Sequence, residues 1–432
     1  MNLSRNQKIL IGAAAFLVVI FLLILVGVLP GLKKETNQIK ATLQFWGVYD
    51  SMRAYEGTIA DFGKIYPGVE VNYRGFSNEA DYETALLNAL AAGKGPDIFM
   101  VRNLNLLRDI TKIAPVPAIK FSLLGLRNLF PQIVESDFAP DGKNIYGLPL
   151  SIDTLALIYN QDLWNDAAIT TPPKTWTEFE ALIPKLVRKN GASVTRAAAA
   201  LGGSLKSMET APDVLSMLML QSGTEMISRD FSSASFSSSD GEEALNFYLK
   251  FSDSKNAAYT WNDEMKKARE AFAAGEAAMI FDYASAVSQI RSKNILLNLG
   301  IAEVPQPAGA ERAITFGNYW GYAVSRQSRY ANTAWDFVLN LTTKSENAKN
   351  YFTATGKPPA LRSLISQSLN DPNLTVFAKQ ALTARAWGEV DYNKTGGILS
   401  DMIESVLAGM ISSRSALQEA EDKVTDLLKK RL

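Results

Sequence analysis

The chain has 432 residues, of which 47% are hydrophobic and 20% are charged, a composition typical of a folded protein with more than one domain. Its 44 basic and 44 acidic residues give a formal net charge of zero, which argues against a nucleic-acid-binding protein. It contains no cysteine and no histidine, which excludes disulfides, thiolate metal sites, cysteine nucleophiles and imidazole general bases. Paired carboxylates, Ser-Lys pairs and all-oxygen calcium sites remain open.

The N-terminal segment 9–29 is apolar throughout. As a helix it would measure roughly 32 Å, enough to cross a hydrocarbon core of about 30 Å. Secretory signals usually carry a shorter apolar region and a small-residue cleavage site, and no convincing site of this kind follows here. We therefore expect residues 1–40 to form a cytoplasmic stub, a transmembrane anchor and a linker, with a cleaved signal peptide as the alternative.

The segments that follow the linker alternate between strands and helices. Apolar periodicity predicts a strand, a helix that Pro67 ends and a second strand within residues 41–73. Asn78 is predicted to cap the next helix, and Gly93 helps to end it before a third strand that finishes at Val101. This β-α-β-α-β order is typical of an open sheet with crossover helices.

The corner that leads into the third strand contains Asp97. Because the corner follows the C-terminus of a helix, it lacks the strand-to-helix geometry of a phosphate-binding loop. We expect Asp97 to accept hydrogen bonds from backbone N–H groups of the corner. The strand that it begins would then carry binding residues at its far end.

The rest of the chain continues the α/β pattern. Thr175 and Glu178 form a predicted capping box, and residues 331–343 show the apolar stripe of a buried helix. Two helices close the chain, with Met410 in the apolar stripe of the first and Ser415 as the cap of the second. Three stretches read as passages of the chain between two lobes: 146–164, 298–307 and 355–365.

A series of motifs resembles the bacterial extracellular solute-binding proteins of carbohydrate ABC transporters, the maltose-binding-protein-like family. The resemblance extends over nearly all of residues 41–432. The motifs follow the family's order: LQFWG, ADFGKIYPGVEVNY, LLNALAAGKGPDIF, YGLPLSIDTLALIYNQDLW, PPKTWTEF, FAAGEAAMIFD, GIAEVPQP, GNYWGYAVS and TGKPPALRS.

The resemblance implies an α/β protein with the two-lobed periplasmic-binding-protein-like fold. Three crossovers would join an N-terminal lobe, 41–152 plus 304–358, to a C-terminal lobe, 153–303 plus 359–432. Ligand would be held in the cleft and enclosed by hinge closure, without chemistry, cofactor or metal. The globular part would lie outside the cytoplasm, anchored through 9–29, and would meet the permease subunits of an ABC transporter. Family members are tethered by lipid or released by cleavage, so a retained span would be a departure.

A sugar cleft needs flat aromatic rings together with carboxylate, amide or guanidinium partners for the hydroxyl groups. Trp46 and Tyr49 lie near the C-terminal end of the first strand, where open sheets bind ligands. Arg102 and Asn103 follow the third strand at the same edge. Asp153 lies in the first passage between the lobes. These five residues are candidates for the binding site. The alternative is that they pack within the protein or fix the hinge.

Further candidates come from the second half of the chain. Asp282 and Tyr283 end the MIF strand, and Tyr319 and Trp320 enter the GYAV strand. The resemblance implies a stacking tryptophan shortly after the MIF strand, where this chain has Ser285. Tyr283 would then supply the missing ring.

The last candidates lie near the C-terminus. The resemblance implies another stacking ring at Trp387, with Glu389 beside it, and Arg362 follows the last passage. The remaining tryptophans of helical motifs are expected in the core: Trp164, Trp176 and Trp335.

Three functional hypotheses follow. The first is the membrane-anchored substrate-binding component of an importer that takes a sugar or oligosaccharide. The second is a binder of another polar solute, such as a polyol or a glycerophosphodiester. The third is a glycosidase that uses two carboxylates, which would have to lie about 5–5.5 or 6.5–9.5 Å apart.

Overall fold

The computed structural model describes residue 4 and residues 12–21, 39–191, 193–371 and 373–430. Of the predicted anchor 9–29, only residues 12–21 are described, and they are helical; the rest lies outside the described residues. Among the helices described, none is both long and apolar enough to cross a bilayer.

The described ranges form an alternating set of strands and helices. The strands β1 to β13 are Ala41–Val48, Val69–Phe76, Ile98–Arg102, Ile113–Ala114, Leu148–Pro149, Ala156–Asn160, Arg188–Asn190, Ser193–Arg196, Met279–Asp282, Leu299–Ala302, Thr315–Phe316, Trp320–Ser325 and Ala384–Arg385. The helices α1 to α17 are Glu56–Ile65, Glu79–Ala91, Leu106–Asp109, Leu123–Leu129, Gln132–Phe138, Gln161–Asp166, Trp176–Leu186, Ala211–Gln221, Ser239–Leu249, Ala268–Ala273, Ala284–Lys293, Ala331–Thr343, Ser345–Thr355, Arg362–Ser368, Thr375–Ala381, Tyr392–Leu407 and Ser413–Lys430.

The first sheet has the order β2-β1-β3-β12-β4, with β5 beside β12. Strand β1 pairs in parallel with β2 and β3, whereas β12 runs antiparallel to β3. Alternation along β1 buries Leu43 and Phe45 completely on one face, as the sequence pattern predicts. We call the part of the chain that packs around this sheet lobe 1.

Helices α1 and α2 cover the sheet of lobe 1; α1 ends before Pro67 as predicted, and α2 begins and ends as predicted. The side chain of Asn78 accepts a hydrogen bond from the backbone N–H of Asp81 at 2.9 Å, which confirms the cap of α2. Gly93 adopts a φ of 66° after the helix, a left-handed conformation that glycine takes without a steric penalty. The chain can therefore reverse and enter β3.

The predicted role of Asp97 is wrong. Its carboxylate accepts hydrogen bonds from the backbone N–H of Gln44, at 2.8 Å, and from the hydroxyl of Ser328. The backbone N–H of Asp97 in turn donates to the carbonyl of Gln44. Because the side chain reaches a neighbouring strand rather than its own corner, Asp97 fixes the start of β3 beside β1.

The second sheet has the antiparallel order β10-β6-β9 and packs in a separate hydrophobic core, which we call lobe 2. Trp164 and Trp176 are buried in this core, whereas Trp335 is buried in lobe 1, so all three predicted core tryptophans are confirmed. Thr175 and Glu178 form the predicted capping box at the start of α7.

The two C-terminal helices also pack in lobe 2, with two differences from the sequence reading. Met410 is 76% exposed, because the first of these helices, α16, ends at Leu407. Helix α17 already begins at Ser413, and the backbone N–H of Ser415 donates to the hydroxyl of Ser412. Ser415 therefore lies inside the helix rather than at its cap.

Three passes of the chain lie side by side between the two cores. Thr154 of the first pass pairs with Gly317 of the second, and Phe316 pairs with Arg385 of the third. The backbone N–H of Asn318 donates to the carbonyl of Asp153 at 3.1 Å. Backbone segments that connect two separate cores in this way are the expected place for a hinge.

The predicted third passage, 355–365, does not cross between the lobes, because the residues on both sides of it pack in lobe 1. Leu361, Leu364 and Ile365 pack in the core of lobe 1, although the family resemblance implies that residues 359–432 belong to the C-terminal lobe. Helix α15 then contributes to both cores, through Phe377 to lobe 2 and Ala378 to lobe 1. The backbone then crosses to lobe 2 between Ala384, in the core of lobe 1, and Trp387, in the core of lobe 2.

The capping box at α7 generates a stability prediction. Thr175→Ala removes the hydroxyl that accepts the N–H of Glu178, and we expect the free energy of unfolding to fall by about 1 kcal/mol. Urea unfolding measures this loss. Thr175→Ser keeps the hydroxyl and serves as the control; an equal loss in both variants would contradict the capping role.

Candidate functional site

A cavity of about 510 Å³ opens between the two lobes, within the size range of small-molecule sites. Lobe 1, lobe 2 and the passes between them all contribute to its wall. The lining residues are Tyr49, Met100, Arg102, Leu150, Ser151, Asp153, Glu209, Thr210, Arg269, Tyr283, Ala284, Ser285, Ser288, Gln289, Asn318, Tyr319, Trp320, Tyr322, Tyr351, Thr355, Gly356, Lys357, Pro358 and Tyr392.

Aromatic side chains dominate this wall. Six tyrosines and one tryptophan line the cavity: Tyr49, Tyr283, Tyr319, Tyr322, Tyr351, Tyr392 and Trp320. Tyr49 is 52% exposed and has a φ of 67°, a left-handed conformation that costs a non-glycine residue energy. Trp320 enters β12 with its ring 6.4 Å from the ring of Tyr49. Together these two rings form an apolar, partly exposed face of the cavity.

Arg102, at the end of β3, is held on several sides. Its guanidinium donates two hydrogen bonds to the carboxylate of Glu79 and one to the side-chain oxygen of Asn318. It also lies over the rings of Trp320, at 4.8 Å, and Tyr392, at 4.4 Å. Burial alone would lower the pKa of Arg102, but Glu79 together with Tyr392 and Tyr49 outweighs burial, and the pKa is raised. Arg102 therefore stays charged in a fixed orientation.

A polar chain continues from Arg102 into lobe 2. The amide nitrogen of Asn318 donates to the carboxylate of Asp213, which also accepts the hydroxyls of Tyr283, at 2.5 Å, and Tyr392, at 3.1 Å. Asp213 is 1% exposed, and burial raises its pKa despite these three donors. Arg102, Asn318 and Asp213 thus connect the two lobes through hydrogen bonds behind the cavity wall.

Asp153 lies where the first pass meets helix α11. Its carboxylate accepts the backbone N–H groups of Ala284, at 2.9 Å, and Ser285, at 3.1 Å, the first two residues of that helix. It also accepts the N–H of Thr154 at 3.0 Å. Burial raises the pKa of Asp153 to about 6, although these donors oppose the increase. Above that pH the carboxylate is ionised and neutralises the helix N-terminus.

Two further cations on the wall have carboxylate partners behind them. The guanidinium of Arg269 donates to both oxygens of Asp282, at 2.6 and 2.8 Å, in a bidentate pair. The ammonium of Lys357 donates to Asp50 at 2.5 Å, and Asp50 also accepts the hydroxyls of Tyr55 and Tyr351. Both carboxylates are buried.

Six of the twelve predicted site residues line the cavity: Tyr49, Arg102, Asp153, Tyr283, Tyr319 and Trp320. Two more support lining residues from behind. Asp282 holds Arg269, and Asn103 accepts the backbone N–H of Tyr319 while it donates to Asp137.

The other four predicted site residues lie outside the cavity lining. Trp46 is inside β1 and packs against Phe76, and Arg362 donates to the carbonyl of Phe130. The ring nitrogen of Trp387 donates to Ser216, and this tryptophan is 5% exposed. Glu389 is 3% exposed; burial and then Asp213 raise its pKa well above its ordinary value.

Several lining residues are absent from the sequence prediction. Lys357 lies in the quoted TGKPPALRS motif, so the predicted third passage already carried a signal for it. Tyr392 follows the Trp387 region closely. Arg269 and Glu209 have no comparable signal, because only the packing of lobe 2 brings α10 and the residue before Thr210 to the cavity.

Two lobes, side-by-side passes between them and a cavity at their junction define the class of bilobal solute-binding proteins. Residues 57–375 match the family described as bacterial extracellular solute-binding protein. The chain belongs to this family.

Relatives in sequence and structure agree with this assignment. The "Probable ABC transporter-binding protein" of Deinococcus radiodurans is 24% identical over 333 residues, which cover 74% of this chain and 75% of that protein. The cyclic alpha-maltosyl-1,6-maltose binding protein of Arthrobacter globiformis superposes with a TM-score of 0.74 at 21% identity, over 90% of this chain and 100% of the other. UgpB of Mycobacterium tuberculosis, solved with glycerophosphocholine, gives 0.71 at 15% identity, over 90% and 99%. These structures share the fold.

The buried carboxylate of Asp137, which lies behind the cavity wall, predicts that the stability of the protein depends on pH. Asp137 accepts the side chains of Asn103 and Tyr319, and burial raises its pKa from 3.8 to about 7. Between these values the folded protein binds more protons than the unfolded chain, so this contribution to the free energy of unfolding decreases as pH rises.

The measurement compares the wild type with Asp137→Asn in urea unfolding from pH 4 to pH 8. Because the variant cannot take up this proton, the stability of the wild type relative to the variant should fall from pH 4 to about pH 7 and change little above it. A difference that is constant over the whole range would contradict the raised pKa.

Proposed function

We propose that this protein is the extracytoplasmic substrate-binding component of an ABC importer and that its ligand is a sugar or oligosaccharide. The cavity between the lobes, lined by seven aromatic rings and by groups of fixed orientation, is the observation that carries the proposal. The family assignment supports the class of function. The relative from Arthrobacter globiformis, named for a cyclic maltosaccharide, supports the class of ligand.

The wall suits the chemistry of a sugar. A pyranose ring has an apolar face of C–H bonds, for which Trp320 and Tyr49 offer a partly exposed aromatic surface. Its hydroxyl groups need donors and acceptors, which Glu209, Gln289 and Lys357 supply from different sides of the cavity. Closure of the lobes around the hinge would remove water from both kinds of contact.

The proposal includes that the ligand is released unaltered, without cleavage of a glycosidic bond. A glycosidase would need a pair of carboxylates free to act on the glycosidic bond. Asp153 is a lining carboxylate, but its oxygens already accept three backbone N–H groups and hold a helix in place. This commitment favours a structural carboxylate over a catalytic one.

We also propose that residues 9–29 anchor the protein in the membrane, with the globular part on the extracytoplasmic side. The apolar sequence of this segment supports an anchor. A tether of this kind would raise the effective concentration of the binding lobes near the permease subunits.

The direct test is isothermal calorimetry of the purified protein against a panel of neutral mono- to tetrasaccharides, polyols and glycerophosphocholine. We expect a saccharide to bind and remain unaltered, and at 100 times its Kd to stabilise the protein by about 2.7 kcal/mol. Binding only of glycerophosphocholine, or cleavage of a saccharide, would contradict the proposal.

Two tryptophan variants separate the cleft from the core. Trp320→Ala should weaken saccharide binding at least ~10-fold with a small loss of stability, because this ring lines the cavity and is partly exposed. Trp387→Ala should instead cost about 3–5 kcal/mol of stability, because its ring is buried beside Phe236. Calorimetry and urea unfolding of both variants check this contrast, and equal effects on binding and stability would overturn it.

A further inference from the structure

Helix α11 begins at the cavity. Its first residues, Ala284 and Ser285, line the wall, as do Ser288 and Gln289 one turn later. The free N–H groups and the dipole at the start of a helix attract anions, so a helix N-terminus in a binding cavity commonly receives a phosphate or carboxylate. In this protein the two N–H groups donate to Asp153, at 2.9 and 3.1 Å. A side chain of the protein thus takes the place that an anionic ligand would need.

The cations of the wall are compensated in the same way. Arg102 pairs with Glu79, Arg269 with Asp282 and Lys357 with Asp50. The side chains of these three carboxylates are 14%, 3% and 2% exposed, so they lie behind the cations and away from solvent. Each positive charge that faces the cavity is therefore already neutralised by the protein.

Glu209 adds a further carboxylate to the lining. With Asp153, Glu209 and the three carboxylates behind the cations, acidic groups outnumber the three basic groups at the wall. An anion that entered would lose its hydration, meet no uncompensated cation and be repelled by these carboxylates. A neutral polyhydroxy ligand would lose much less on entry.

We propose that the cavity discriminates against anionic ligands and that Asp153 is the residue that sets this specificity, because it occupies the N-terminus of α11, whose first two residues both line the cavity. The identity of the accepted ligand rests on the proposed function; the exclusion of anions does not. Specificity of this kind depends on a built-in repulsive element as well as on attractive contacts.

The test compares the wild type with Asp153→Ala and Asp153→Asn at pH 8, where the Asp153 carboxylate is ionised. Sulfate and glycerol 3-phosphate serve as anionic probes, and maltotetraose serves as the neutral probe. Affinities come from calorimetry, and circular dichroism with thermal unfolding shows that each variant is folded. Glu209→Gln is the matched control, because it removes one negative charge from the wall without freeing the N–H groups of α11.

We expect Asp153→Ala to bind sulfate and glycerol 3-phosphate at least ~10-fold more tightly than the wild type, with Asp153→Asn in between. Glu209→Gln should gain less than Asp153→Ala, because it reduces repulsion but frees no N–H group of α11. If Asp153→Ala does not fold, the gain in anion affinity of Asp153→Asn over the wild type decides whether the role of Asp153 holds. Wild-type binding of the anions as tight as that of the variants, or an equal gain in Glu209→Gln, would overturn the role of Asp153.

The maltotetraose arm and the saccharide panel keep the two proposals separate. If no saccharide binds the wild type but Asp153→Ala gains sulfate affinity, the proposed function fails and the exclusion of anions stands. If a saccharide binds but the variants gain nothing, the proposed function stands and the exclusion by Asp153 fails. A crystal structure of Asp153→Ala with sulfate should place the ion at the N–H groups of Ala284 and Ser285.

Discussion

The hydrogen bonds between neighbouring passes of the chain are the constraint on which the rest of the structure depends. Asp153 lies on the first pass and Asn318 on the second, and the backbone of one bonds to the backbone of the other. This pairing sets the position of both side chains relative to both lobes. One side chain then caps helix α11, and the other connects Arg102 to Asp213. The hinge and the cavity wall are therefore parts of the same hydrogen-bonded unit.

Polar groups behind the wall satisfy one another before any ligand arrives. Asp213 receives three donors, Asp50 receives a lysine and two tyrosines, and Asp282 receives a guanidinium. A buried carboxylate without partners would be costly, so these contacts are conditions for placing charge beside an apolar core. They also hold the rings of Tyr283, Tyr351 and Tyr392 in fixed orientations. The wall is thus preorganised, which reduces the ordering cost of binding.

The fold could be predicted largely because its signals are local. Alternation in β1, the cap at Asn78 and the capping box at Thr175 each depend on residues close in sequence. The strand-end rule predicted Tyr49 and Arg102 in the cavity lining, and the aromatic entry into β12 predicted Trp320 there. Neither signal could place Arg269 or Tyr392, which start from helices of lobe 2, and neither could show that the Trp387 ring points into a core. The role of Asp97 was also predicted wrongly from its neighbours in sequence, because its partner Gln44 is on another strand.

Because the cations of the cavity wall are already paired with carboxylates, selectivity among ligands has to come from contacts other than charge. If the cations faced the cavity without partners, any small anion could bind by charge alone, and the aromatic rings would add little discrimination. Because Glu79, Asp282 and Asp50 neutralise them, a ligand gains only from hydrogen bonds of defined direction and from contact with the rings. Both contributions depend on shape. In the proposed function, internal pairing of each charge would let the cavity recognise the arrangement of hydroxyl groups, which is what distinguishes one neutral solute from another.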